Sequence, residues 1–169
     1  MKRYDEKTAR LTIYTFKEGL LSSVAHDLAI DVTRFTVDVT DDDIVLVADA
    51  TSLRTRSARE NGRDAPRLLS SSDKKKIDEN IVKDVLHAQR HPQIRAQTGL
   101  RSAGSGIARV TLGSVSGDVG IVVEQTGDRV VARARLSQPA FGIKPYAALL
   151  GALKIKPDVE IELEIPSPA

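Results

Sequence analysis

Along most of this chain apolar and polar residues alternate with a period of two, the signature of strands with one buried and one wet face. Leu11 and Ile13 oppose Tyr14 and Phe16 in residues 8–17. Val24, His26, Leu28, Ile30 and Val32 share one face of residues 23–33, against Asp27, Asp31 and Thr33. Phe35, Val37 and Val39 continue the pattern, Asp41 to Asp43 form a turn, and Ile44 to Ala50 return as the second arm of an antiparallel hairpin. After Pro92 the pattern is all strand. Ile94, Ala96, Thr98 and Leu100 alternate with Arg95, Gln97 and Arg101. Turns are expected at residues 104–106, 116–118 and 126–129, with strands between them. Val130, Ala132, Ala134 and Leu136 then alternate with Val131, Arg133 and Arg135. The last stretch sets Val159, Ile161, Leu163 and Ile165 against Asp158, Glu160, Glu162 and Glu164.

Two segments carry a helical period instead. Residues 73–91 place Ile77, Ile81, Val85 and Leu86 on one stripe, with Ser72 or Asp73 as N-cap and Pro92 as stop. Residues 145–153 begin with Pro145, a good first helical residue, and place Tyr146, Leu149, Leu150 and Leu153 on one face. A helix this short needs something to dock on. Residues 52–72 are the least regular, with Gly62, Pro66 and a run of serines, and read as a long basic excursion. The sum is an all-β protein of eight or nine strands. Short connections make the order antiparallel, and a closed barrel of about eight strands can hold one small ligand. Ala48, Ala50, Ala96, Ala132 and Ala134 would leave space inside it, although a flattened, well-packed barrel would give the same pattern.

Composition narrows the function. At 169 residues the expectation is one domain over 1–169. A formal charge of +2 argues neither for nor against nucleic acid, and the absence of cysteine removes disulfides and thiol catalysis. The charged start MKRYDEKTAR has no apolar h-region, and no run approaches the ~20 apolar residues of a membrane span. A cytoplasmic location without a transmembrane segment is the expectation.

Candidate chemistry is thin. Ser22, Ser23, His26 and Asp27 cluster in sequence, but on a strand His26 and Asp27 point to opposite faces, which denies them triad geometry. His26 shares its face with Val24 and Leu28, so it is a hydrogen-bonded core histidine or a polar contact for a bound ligand. His87 and His91 stand at i, i+4, yet a zinc site wants three protein ligands and only Asp84 is near to help. Arg54, Arg56, Arg59, Arg63, Arg67 and Lys74 to Lys76 make residues 54–76 the most basic stretch, with no aromatic interleaved for base stacking.

Two stretches carry a resemblance. FGIKPY at 141–146, followed by LGALKI at 150–155, resembles the C-terminal signature of the YceI-like family. The segment from Lys76 to Ala88 running into Arg90-His91-Pro92-Gln93-Ile94 is similar to that family's mid-chain helix and the step from it into a strand. His26 and Phe35 are similar to its early histidine and the phenylalanine of its second strand. The chain departs from the family where Thr33 and Arg34 replace the usual glycine, and where Val85, Leu86 and His87 stand in place of aromatics. The resemblance implies a lipocalin-like barrel whose hydrophobic tunnel binds a long-chain lipid, typically a polyisoprenoid. It implies no catalytic machinery and no cofactor beyond such a lipid.

The expected function is therefore to bind or carry a polyisoprenoid, isoprenoid quinone or fatty-acyl lipid. Inward residues expected to line the tunnel are His26, Leu28, Ile30, Leu46, Ala48, Ile94, Ala96, Ala132 and Ala134, with Phe141, Tyr146, Leu149 and Leu150 closing one end. The alternative is a solid barrel that grips an anionic partner through residues 54–76. A homodimer is compatible with either.

Overall fold

The computed structural model describes residues 1–20, 25–99 and 103–167. In chain order its strands are β1 (Lys2–Asp5), β2 (Arg10–Thr15), β3 (Lys17–Glu18), β4 (Asp27–Val32), β5 (Phe35–Val39), β6 (Asp43–Asp49), β7 (Leu53–Glu60) and β8 (Arg63–Ala65). After the helix α1 (Ser71–Asn80) come β9 (Gln93–Gly99), β10 (Gly104–Leu112), β11 (Val115–Thr126), β12 (Arg129–Ser137), β13 (Ala147–Ala148), β14 (Leu153–Ile155) and β15 (Asp158–Pro166).

Twelve of these strands form one sheet in the order β1-β5-β6-β9-β10-β11-β12-β15-β2-β4-β7-β8, and β13-β14-β3 form a small second one. Every pairing among the described residues is antiparallel. The large sheet curls into a barrel. β2 pairs β15 on one side and β4 on the other, while β5, two residues beyond β4, pairs β6. The succession of neighbours thus returns on itself through residues 33–34.

The count of twelve exceeds the expected eight or nine because β1, β7 and β8 form where no strand is expected, at residues 2–5 and within 52–72, and sharp bends join them to their neighbours. Residues 6–9 separate β1 from β2, residues 33–34 separate β4 from β5, and the 3-10 turn Ala50–Ser52 separates β6 from β7. The last bend is fixed by Asp49, whose carboxylate accepts from the Thr51 N–H at 2.8 Å and from Thr51 Oγ1 at 2.6 Å. Ser52, wholly buried, donates to the Asp49 carbonyl and accepts from the Arg34 N–H.

Several local expectations are corrected. Residues 52–72 are not an irregular excursion. β7 and β8 form a hairpin across Asn61-Gly62, both with positive φ (51° and 75°), and Pro66–Leu68 is a 3-10 turn. Asn-Gly suits a primed hairpin turn, the signal that the arginine-rich composition obscured. The mid-chain helix starts earlier and ends sooner than 73–91. Ser70 caps it, accepting from the Asp73 N–H while the Asp73 carboxylate accepts from the Ser70 N–H. A π-helical turn over Ile81–Val85 follows, and His87 at φ 47° ends it before Pro92 is reached. The turn between β10 and β11 is at Gly113-Ser114 rather than 116–118, and Gly104 to Gly106 lie inside β10. Val24, Leu100 and Arg101 fall outside the described residues, as do Ser22 and Ser23.

The short helix over 145–153 does not form. Ala147 and Ala148 pair with β14, which pairs with β3, and Leu149–Gly151 is a 3-10 turn between them. Eight or nine residues with a helical period have little helical stability of their own. Backbone pairing with Lys17 and Glu18 captures the segment instead.

The inward set of the barrel follows the alternation. Leu28, Ile30, Val32, Ala108, Val110, Val119, Ile121, Val123, Val130, Leu136, Val159 and Ile165 are all buried in one core cluster. Outward, charges pair across strands. Arg133 bridges Glu124 and Glu162 at 2.7 and 2.9 Å, Arg135 meets Glu160, and Arg129 meets Glu164. The barrel is apolar inside and ionic outside. No helix among the described residues is long and apolar enough to cross a membrane.

Candidate functional site

The barrel encloses a cavity of about 400 Å³ whose walls are almost entirely carbon. The alternation explains why its lining is apolar, and the small residues explain its volume. Ala96 pairs with Leu46 on one side and Val110 on the other. Ala132 stands between Val123 and Leu163, and Ala134 between Ile121 and Ile161. Each alanine leaves volume that a larger residue would fill in a barrel of this size. Leu46, Ile13 and Ile161 are accordingly only half-buried although they face inward.

The cavity is elongated. Val159, Ile161, Leu163 and Ile165 of β15 all line it. That is six residue steps, or about 20 Å along a strand.

One end is covered by α1 and its π turn. Leu69, Ile77, Asn80, Ile81, Val85 and Leu86 face the cavity, yet no residue of α1 is fully buried. The helix is a half-buried cover, with Ile77 and, just beyond it, Ile81 packed against the rim of the core. Its first turn is stabilised by Asp73, whose carboxyl is held below its ordinary pKa by the Ser70 hydrogen bonds, with smaller help from the charges of Lys76 and His26. A second part of the cover is the small sheet, through Tyr146, Leu153 and Ile155.

Polar groups in the lining are few: Thr15, His26, Asn80, Gln97, Thr98, Arg133, Gln138 and Tyr146. Some are committed elsewhere. The Arg133 guanidinium serves its outward carboxylates, Thr98 Oγ1 donates to the Ile107 carbonyl, and Gln138 Nε2 donates to the Lys156 carbonyl. Thr15 Oγ1 is buried without a hydrogen-bond partner among the described residues. His26, Asn80 and Tyr146 belong to the covered end.

The sequence-derived lining divides. His26, Leu28, Ile30, Leu46, Ala48, Ile94, Ala96, Ala132, Ala134 and Tyr146 all face the cavity. Phe141, Leu149 and Leu150 do not. Phe141 is buried beyond the cavity, its ring over Gly117, where a Cβ would come within 3.2 Å of it. Leu149 is 67% exposed and Leu150 fully exposed, because the helix that would have turned them inward is a hairpin tip. Sequence reasoning saw the apolar stripe of α1 without assigning it to the cavity. It also passed over Leu11, Ile13 and the inward face of β15, whose alternation carried the signal.

The remaining candidates do not assemble into chemistry. The Asp27 carboxylate accepts from the Lys17 N–H at 2.8 Å and is absent from the lining that His26 joins. His87 and His91 border a second, smaller depression with Phe141, and the His91 ring lies against Gly113. Among the described residues no three His, Asp or Glu side chains are grouped to hold a metal ion. Three of the five arginines of 54–76 are engaged on the barrel wall. Arg56 bridges Asp31 at 2.6 Å and Asp64 at 2.9 Å. Arg59 pairs with Asp64 and sits 4.3 Å from the Tyr14 ring centroid, and Arg54 donates to the Thr51 and Leu53 carbonyls.

No family model matches this sequence, and no curated protein matches it. Among solved structures, the crystal structure of Burkholderia cenocepacia BcnA matches at a TM-score of 0.58 and 13% identity, over 93% of this chain and 94% of that one. At such identity the likeness concerns the fold alone, and it extends over nearly the whole of both chains: this protein has the barrel fold of BcnA.

Proposed function

We propose that this chain is a YceI-like binding protein that holds a long-chain apolar ligand, an isoprenoid or fatty-acyl lipid, inside its barrel. The observation that carries the reading is the elongated cavity of about 400 Å³ with carbon walls. A binding site of this kind is apolar with a few placed polar groups. The hydrocarbon lies along β12 and β15, past Ala132 and Ala134, and the polar end sits under α1 near His26, Asn80 and Tyr146. The length of wall favours a chain over a compact solute. The chain acts as a carrier rather than an enzyme, since Asp27 is turned away from His26. Engagement of Arg54, Arg56 and Arg59 on the wall takes three of the eight basic groups of 54–76 away from the rival surface, which favours the cavity reading.

Native mass spectrometry of the purified protein, followed by organic extraction, tests the proposal. The expected result is an added mass that extraction removes and that matches a polyprenol, isoprenoid quinone or fatty-acyl compound. A bare protein mass, together with no uptake of a fluorescent polyene fatty acid or an isoprenoid quinone, would overturn it.

A further inference from the structure

The small sheet ends in a tip that the cavity does not explain. Leu149 and Leu150 sit at the turn between β13 and β14 with φ of 53° and 56°, and Gly151 follows at 85°. Left-handed backbone is unfavourable for leucine. Here it holds two large apolar side chains 67% and fully exposed to water. Leu20, 91% exposed, belongs to the adjacent loop. The loops are locked together at Gly19, where a Cβ would come within 2.7 Å of the Ala152 carbonyl oxygen. Three exposed leucines therefore crown one end of the molecule.

Their surroundings are basic. Lys154 lies against the tip, its Cε 3.5 Å from where a Gly151 Cβ would stand, Lys17 pairs at the base of the hairpin, Lys144 and Lys156 flank the hairpin in sequence, and Glu18 is the one acid on β3, β13 and β14. None of these four lysines forms an ion pair among the described residues. The same hairpin turns Tyr146, Leu153 and Ile155 to the cavity. An apolar tip on a lysine-bearing hairpin is complementary to a bilayer that offers hydrocarbon beneath anionic headgroups.

We propose that this tip docks the protein on an anionic membrane surface, with Leu20, Leu149 and Leu150 entering the acyl boundary and the lysines contacting headgroups. The covered end of the cavity is thereby brought to the bilayer. Its use for loading or delivering lipid rests on the binding function proposed above, whereas the docking itself does not.

Flotation with vesicles tests it. The wild-type protein should float with phosphatidylcholine vesicles containing a quarter phosphatidylglycerol, and tenfold less with phosphatidylcholine alone. Leu149→Asn combined with Leu150→Asn should lower vesicle binding at least tenfold, since asparagine tolerates the left-handed backbone. That variant should keep its circular dichroism and its as-purified cavity content by native mass spectrometry. Lys144→Glu with Lys154→Glu should abolish the preference for anionic vesicles. Wild-type protein that stays with the soluble fraction, or a leucine variant that floats as well as wild type, overturns the docking. So does a leucine variant that converts a dimer to a monomer in sedimentation while wild type ignores vesicles, because the tip would then join two copies of the chain. An empty cavity with intact vesicle binding would defeat the carrier function and leave the docking standing.

Discussion

Thr55, on β7, donates both its backbone N–H and its Oγ1 to the same carboxylate oxygen of Asp78, on α1, each at 2.7 Å. This is the polar tie between the barrel and the helix that covers its cavity. It matters because the helix and its π turn are held otherwise by side chains such as Ile77 and Ile81, which pack against the core only partly buried while facing the cavity.

Loosening that tie should free the cover without unfolding the wall. Thr55→Val or Asp78→Asn removes charge-assisted hydrogen bonds worth about 1–3 kcal/mol. Hydrogen exchange should accelerate at residues 71–85 and stay unchanged in β11 and β12. Ligand release should quicken in the same variants.

Filling the cavity should separate binding from folding. Ala96→Phe or Ala132→Phe adds a ring where the wall is thinnest. The barrel should remain folded, with an overpacking cost of about 1–3 kcal/mol. Uptake of a fluorescent fatty acid should fall tenfold or more, and equal uptake by these variants would show that the ligand lies elsewhere.

Glycines at two positions should respond oppositely to a methyl group. Gly19 has φ of +100° and a Cβ would lie 2.7 Å from a backbone oxygen, so Gly19→Ala should cost more than the ~1–2 kcal/mol of left-handed backbone alone. Gly120, on the outer face of β11, has ordinary φ and nothing within 4 Å of the position a Cβ would take. Gly120→Ala should be neutral or stabilise by about 0.4–1 kcal/mol. Thermal melts of the two variants provide the check.

Acid should weaken the bend between β6 and β7. Asp49 has a lowered pKa because Thr51 donates to it, with Arg34 adding a further hydrogen bond and charge. A lowered folded-state pKa gives stability that is complete above the unfolded value, about pH 4, and is lost as pH falls through the folded value. Asp49→Asn should therefore destabilise near neutral pH by about 1 kcal/mol, reduced by solvent screening, and should flatten the acid limb of a urea-midpoint profile.

Much of the wall was legible in the chain because a strand's period assigns residues to faces without reference to partners. The inward sets 28/30/32, 94/96, 130/132/134/136 and 159/161/163/165 needed only alternation, and all of them meet in the cavity or its core. The ends were not legible. At 145–153 one spacing suited both a helix and a hairpin tip, and strand β3, over a hundred residues earlier, decided between them. At 61–62 the turn residues were present, but the arginines around them suggested a loop until Asp31 and Asp64 were found beside Arg56.

The amino-acid sequence by itself determined which side chains face inward and how small some of them are, because pleat and side-chain volume are local properties. Whether those small residues meet across a void, which helix covers it and which leucines are left in water was decided only in three dimensions. These depend on strand register and on partners distant in the chain, and neither is encoded in any one segment.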